Sequence, residues 1–183
     1  GGIHGDETNG VEIVRQIIAS GHNKPQKGTV ICIPLLNVFG FLNQKREVPD
    51  GRDLNRVFPG SDKGSLASRF AYHLMSKVIP KVDYCIDYHT GGAQRFNYSQ
   101  LRIDDNDEEI LKLAKVFGTP FIVYSKSKEK TFRKSMVDLG KKMLLFEGGK
   151  SLSLDKNVTK SGIQGAINIM HHLGMRDFSS KIS

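Results

Sequence analysis

Apolar and polar positions along the chain follow two alternating periods. Between Thr8 and Ala19, Val11, Val14, Ile17 and Ile18 recur at the spacing of one helical face, and Gly21 follows as a stop. Residues 66–79 repeat the pattern through Phe70, Leu74 and Val78, and Pro80 marks the end. Residues 106–117 begin with acids and carry lysines later, the order a helix dipole favours. Residues 162–173 predict a last helix, closed by Gly174. Between these segments lie nearly unbroken apolar runs at residues 29–36, 82–88, 120–124 and 143–146. Such runs mark strands covered on both faces. Strands alternating with helices predict an α/β fold, a three-layer sandwich around a mostly parallel, mixed central sheet.

Ligands on sheets of this kind bind beyond the carboxyl ends of the strands. His89 follows the run 82–88, and Glu147 follows the run 143–146. The opening Gly1-Gly2-Ile3-His4 has no strand before it, so a strand is expected to precede it. Residues 37–65 form one long irregular segment, and such segments in compact domains are usually functional or disordered. Its density of arginine, asparagine and glycine predicts a binding loop.

Composition narrows the class. The chain has 183 residues, 38% hydrophobic and 25% charged, which fits a single globular domain over residues 1–183. No apolar run approaches the ~18 residues of a membrane span. The net charge of +8 raises a nucleic-acid partner. The lysines are scattered, however, with a modest cluster at Lys126, Lys128, Lys130, Arg133 and Lys134, and no nucleic-acid motif accompanies them. A field that draws in small anionic substrates accounts for the charge equally well. Cys32 and Cys85 sit in apolar runs and are read as reduced, buried, structural thiols, with a cytoplasmic location as the default.

Three positions suggest a metal. At a spacing of three, His4 and Glu7 share one face of a helical turn. His89 adds a remote imidazole at a strand end, and two nitrogens with one carboxylate form a ligand set of catalytic zinc. Asp87 points to the same side as His89 and can orient it, and Asp53 is a plausible partner for another bound histidine. The plainer alternative is a glutamate at a helix start with two incidental histidines. His22, His73, His171 and His172 carry no comparable pattern. Glu147, between an apolar strand and Gly148-Gly149, is the candidate general acid/base, because partial burial raises a carboxyl pKa. Arg52, Asn55 and Arg56 offer donors suited to a carboxylate.

Four stretches in order resemble the succinylglutamate desuccinylase/aspartoacylase family, a branch of the zinc carboxypeptidase superfamily. They are residues 2–7 (Gly-Ile-His-Gly-Asp-Glu), residues 51–60 (Gly-Arg-Asp-Leu-Asn-Arg-Val-Phe-Pro-Gly), Asp87-Tyr88-His89-Thr90 and Phe146-Glu147-Gly148-Gly149. The resemblance implies a zinc-carboxypeptidase-like fold and one Zn2+ per chain on His4, Glu7 and His89. It implies Glu147 as base and acid, and Asn55 and Arg56 as holders of the substrate carboxylate. An arginine upstream of Asn55 would polarise the scissile carbonyl. Arg52 is the first choice for it and Arg46 the second. The implied activity is hydrolysis of the amide bond of an N-acyl amino acid. The alternatives are a carboxypeptidase removing a C-terminal residue such as glutamate, or a non-catalytic zinc-binding module. A first strand and a C-terminal β-rich domain, common in the family, are expected to be missing here.

Overall fold

The structure, a computed structural model, describes residues 1–93, 95–104 and 107–177. A four-stranded sheet forms its middle layer. Strand β1 spans Tyr84–Gly91, β2 Asn97–Ile103, β3 Phe121–Tyr124 and β4 Lys142–Lys150, in the spatial order β1-β4-β2-β3. β1 and β4 run parallel, as do β2 and β3, whereas β2 and β4 run antiparallel. The sheet is therefore mixed.

Alternation along the strands divides the core in two. Ile86 and Tyr88 of β1, Leu101 and Ile103 of β2, and Leu144 and Phe146 of β4 face one side. Helices α1 (Thr8–Ala19), α4 (Glu108–Phe117) and α6 (Lys156–His172) cover that side through Ile13, Val14, Ile17, Leu113, Phe117 and Ala166. Cys85 and Met143 face the other side, under Leu54, Phe58, Ala67, Ala71, Phe132 and Met136. Helices α3 (Leu66–His73) and α5 (Phe132–Asp138) build that layer, together with the long loop. The result is the three-layer arrangement that the alternation of runs predicts.

Several elements differ from expectation, each for a local reason. Residues 29–36 are not a strand, because among the described residues no neighbour offers them a ladder. Their backbone bonds go instead to the start of the chain, Gly1 N to Ile33 O at 2.8 Å and Leu36 N to Gly1 O at 3.1 Å. An apolar cavity of about 650 Å³ separates this run from β1. β2 escapes the apolar-run criterion because only alternate residues, Leu101 and Ile103, enter the core. Residues 66–79 continue past His73 as a wider π-type turn, Leu74–Val78, and a final tight turn, Ile79–Lys81, that holds Pro80. α6 begins at Lys156, where the Asp155 carboxylate accepts from the amides of Asn157 and Val158. α4 begins at Glu108 with Asp107 as its cap, and Asn106 lies outside the described residues. The binding loop also contains a short helix, α2 (Val38–Leu42). On α1, Ile18 is exposed and Ile13 takes the buried position. Cys32 and Cys85 are free thiols and half-buried rather than fully buried. No helix among the described residues is long and apolar enough to cross a membrane.

Candidate metal centre and catalytic cavity

Parallel pairing of β1 with β4 sets the register of the site. His89 stands directly opposite Glu147, and both lie toward the carboxyl ends of their strands. The chain from Gly1 to Glu7 reaches the same end. Gly2 has a φ of +65°, and a turn closes from Glu7 N to His4 O at 3.3 Å. α1 starts only at Thr8, so His4 and Glu7 share this preceding turn rather than a helical one.

His4, Glu7 and His89 are all buried, and one candidate ligand atom from each lies within 4.8 Å of the others. Nδ1 of His4 is 2.8 Å from one Glu7 oxygen, and Nδ1 of His89 is 2.9 Å from the other. The remaining ring nitrogens are also engaged. His4 Nε2 meets Asp53 Oδ1 at 3.0 Å, and His89 Nε2 meets Asp87 Oδ2 at 2.7 Å. Each imidazole is thus held from behind by a carboxylate, with Nδ1 turned toward Glu7. That is how protein histidines are oriented for a metal.

The electrostatics agree with this geometry. Burial opposes charge on every one of these groups, yet partners outweigh it. Burial alone would lower His89, but Asp87 and Glu7 hold the ring well above its ordinary pKa. His4 is raised against its own burial by Asp53 and Glu7. Glu7 remains far below the usual carboxylate range despite burial, because both histidines stabilise its anion. Its oxygens also accept from the Thr90 amide at 3.1 Å and from Arg46 Nη1 at 3.2 Å. Three acids, Glu7, Asp53 and Asp87, therefore converge on two imidazoles. The donor set of two nitrogens and a carboxylate suits zinc.

A cavity of about 570 Å³ opens over this cluster, lined by His4, Glu7, His89, Glu147, Arg46, Asn55 and Arg56. Glu147 is pushed above its ordinary pKa by burial, against the pull of His89 and Arg102. Asn97 Nδ2 donates to its Oε2 at 2.9 Å. Asn55 Oδ1 is already committed to the Phe132 amide at 2.8 Å, which leaves its Nδ2 for a ligand. Arg56 curls back to the Asn55 carbonyl at 2.7 Å.

Arg52 is a correction. It lies outside the cavity lining, and its half-exposed guanidinium sits 3.6 Å from Asp50. Asp50 also caps the Arg52 amide at 3.1 Å, and Gly51 has a φ of +78°, so a local turn directs the side chain away. Arg46 stands in the cavity instead, its Nε 3.0 Å from Asp53. His22, His73, His171 and His172 are not among the lining residues. Sequence reasoning missed Asn97 and Arg102, which sit on the unrecognised β2. It met Arg133 only as one member of a surface-like cluster.

Residues 1–173 match the family model for the succinylglutamate desuccinylase/aspartoacylase catalytic domain. An N-alpha-acetyl-L-2,4-diaminobutyric acid deacetylase from Halomonas elongata is 29% identical over 96% of this chain and 54% of its own length. The crystal structure of a succinylglutamate desuccinylase/aspartoacylase from Rhodobacter sphaeroides superposes with a TM-score of 0.87 at 28% identity, over 97% of this chain and 55% of that one. The product-bound ectoine utilization protein EutE (DoeB) from Ruegeria pomeroyi shares the fold, with a TM-score of 0.86 at 22% identity over 100% of this chain and 58% of that one. The chain spans about half the length of the curated relative it matches. With the model match running almost end to end, the chain belongs to the succinylglutamate desuccinylase/aspartoacylase family.

Proposed function

We propose that the protein is a zinc-dependent hydrolase that cleaves the amide bond of an N-acyl amino acid. The observation that carries this reading is the pair of buried imidazoles turned onto one glutamate, each braced by its own aspartate, with Glu147 beside them. Relatives named as an N-acetyl amino acid deacetylase and a succinylglutamate desuccinylase support the same class.

His4, Glu7 and His89 would hold the ion, and Asp53 and Asp87 would fix the ring orientations. A zinc ion bound there supplies Lewis acidity toward an amide carbonyl and toward water. Glu147, with its carboxyl raised by burial, takes a proton from the attacking water and delivers it to the departing amine. Asn97 keeps one Glu147 oxygen occupied and so leaves the other for the reaction. Arg46 is the cation placed to stabilise charge that develops on the carbonyl oxygen, a contribution of roughly 3 kcal/mol per donor. Asn55 Nδ2 and Arg56 would grip the substrate carboxylate, which fixes the scissile bond relative to Glu147.

The test is elemental analysis coupled to an amine-release assay on N-acetyl and N-succinyl amino acids. One equivalent of zinc and chelator-sensitive release are expected. His89→Ala should lose metal and activity together. Glu147→Gln should retain metal and lose on the order of 100- to 10,000-fold in turnover. Full metal content in His89→Ala, or near-normal turnover in Glu147→Gln, refutes the assignment concerned.

A further inference from the structure

Glu147 sits at an irregularity in the sheet, and one buried side chain supports that irregularity from outside. From the pair His89–Glu147 to the pair Gly91–Lys150, β1 advances two residues while β4 advances three. From Gln100–Glu147 to Asn97–Gly149, the ladder with β2 slips as well. β4 therefore bulges at Gly148 and Gly149, immediately after Glu147. Gly149 holds a φ of +73°, and a Cβ there would lie 2.6 Å from Asn9 Nδ2. A glycine at this point lets the Asn9 amide lie directly on the bulge.

Asn9 stands in the first turn of α1, two residues after Glu7, and is 1% exposed. Its Nδ2 donates to the Ser153 carbonyl at 2.8 Å, and its Oδ1 accepts from the Asp155 amide at 2.8 Å. Donor and acceptor are both committed, so the position calls for an amide rather than a carboxylate. Other bonds join the same two segments. The Leu152 amide donates to the Asp6 carbonyl at 2.8 Å, and Thr8 Oγ1 donates to the Ser153 carbonyl at 3.3 Å. The Ser151 amide donates to the Gly91 carbonyl at 3.2 Å, beside the end of β1. One segment carries Glu7 and the other follows Glu147, and Asn9 and Ser153 are 144 residues apart in sequence. A bulge has lost part of its ladder, so its shape depends on what packs against it, and bulges beside reacting groups re-aim the neighbouring side chain. We propose that Asn9 is a positioning residue for the hydrolysis: it holds the bulge that aims Glu147, and so ties that carboxyl to the turn carrying His4 and Glu7. The inference rests on the deacylase reading. Asn9 is not among the residues that line the cavity, so it acts through Glu147 and not on the substrate.

Asn9→Ala, Asn9→Asp and Asn168→Ala are compared in the zinc-loaded protein on N-acetyl and N-succinyl amino acids. Asn168 lies on α6, across the sheet from the cavity, and its Nδ2 donates to the Phe117 carbonyl at 3.2 Å. Its loss controls for a missing internal hydrogen bond. In Asn9→Ala, kcat should fall about ten- to a hundredfold, the scale that an ångström of misplacement produces. KM and zinc affinity should stay within about twofold of native, because the groups that bind substrate and metal are untouched. Asn9→Asp keeps the acceptor for the Asp155 amide, so its kcat should lie between those of Asn9→Ala and the native protein. Asn168→Ala should keep the native kcat. A folded Asn9→Ala with native kcat overturns the inference while the deacylase reading stands. A loss of zinc or a rise in KM that accounts for the whole defect overturns it too, as does an equal defect in Asn168→Ala. If Asn9→Ala does not fold, Asn9→Asp decides by the same criteria. If the native protein cleaves none of these substrates, the deacylase reading falls, and amide exchange in the metal-free protein judges the support of the bulge. Exchange at residues 147–149 that is about tenfold faster in Asn9→Ala, with residues 121–124 unchanged, supports it, and unchanged exchange at 147–149 overturns it.

Discussion

Asp87→Asn probes the claim that the aspartates behind the histidines tune the metal centre. Asp87 is 6% exposed, and its Oδ2 lies 2.7 Å from His89 Nε2. A carboxylate can only accept, so it keeps a proton on Nε2, and with a metal bound the Nδ1 lone pair would be the one free for the ion. An asparagine has two choices in the same space. If its oxygen faces Nε2, the bond persists but becomes neutral and weaker. If its amide nitrogen does, the proton moves to Nδ1, and the nitrogen that would bind metal is blocked. Loss of such supporting carboxylates typically costs 10- to 100-fold in metal affinity. At about 1.4 kcal/mol per decade, that is roughly 1.4–2.8 kcal/mol. The assay is competition for zinc against a chromophoric chelator at fixed pH, with the melting temperature of the metal-free protein followed in parallel. Asp138→Asn is a suitable control, because Asp138 is 54% exposed on α5 and pairs with Lys134. A zinc affinity in Asp87→Asn within twofold of the native value, with folding intact, refutes the reasoning. So would an equal loss in Asp138→Asn.

Three further outcomes follow from packing and burial. Gly5→Ala would put a Cβ 2.0 Å from the Gly40 carbonyl carbon and 2.2 Å from the Phe41 nitrogen, both backbone atoms. It should cost about 3 kcal/mol in urea unfolding and lower zinc occupancy, since His4 is the adjacent residue. Asn9→Ala should cost about 2–4 kcal/mol. It removes the acceptor for the Asp155 amide at 2.8 Å and the donor to the Ser153 carbonyl at 2.8 Å, and denaturation showing less than about 1 kcal/mol contradicts that ledger. Burial pushes the Cys85 thiol up to about 12. At pH 8 in native buffer its alkylation should run about a thousandfold slower than that of a free cysteine, and labelling at the free-thiol rate counts against it.

The sequence disclosed those parts of the fold whose physics is local. α1 spans Thr8–Ala19 as its periodicity demands, and the apolar runs at 82–88, 120–124 and 143–146 each become a strand. The run at 29–36 has the same composition and forms no strand, because a strand is defined by its neighbours and composition carries no information about them. β2 failed to register for the opposite reason. Gln100 and Arg102 point toward the cavity side of the sheet, so the segment alternates where an apolar run was sought. At the site, the four motifs picked out His4, Glu7, His89 and Glu147, and the fold brings all four to one cavity. The choice between Arg46 and Arg52 depended on the path of a loop. The capped turn at Asp50 and Gly51 decides that path, and motif order says nothing about it.

The antiparallel placement of β2 explains how one sheet end gathers side chains from within a strand as well as from strand tips. On a purely parallel sheet, only strand tips and the loops beyond them reach the carboxyl end. Here β2 begins at that end and runs back along β4, pairing Asn97 with Gly149, Gln100 with Glu147 and Arg102 with Leu145. Glu147 is thereby flanked within the sheet, with His89 on one side and β2 on the other. From β2 it receives a hydrogen bond from Asn97 and a nearby guanidinium from Arg102. These partners sit on a strand rather than a loop, so Glu147 is held by paired backbone on both edges. The same strand carries Arg102 into the cavity lining. A change in β2 register by one residue would turn Arg102 into the core and Leu101 into the cavity, and would strip Glu147 of its β2 partners.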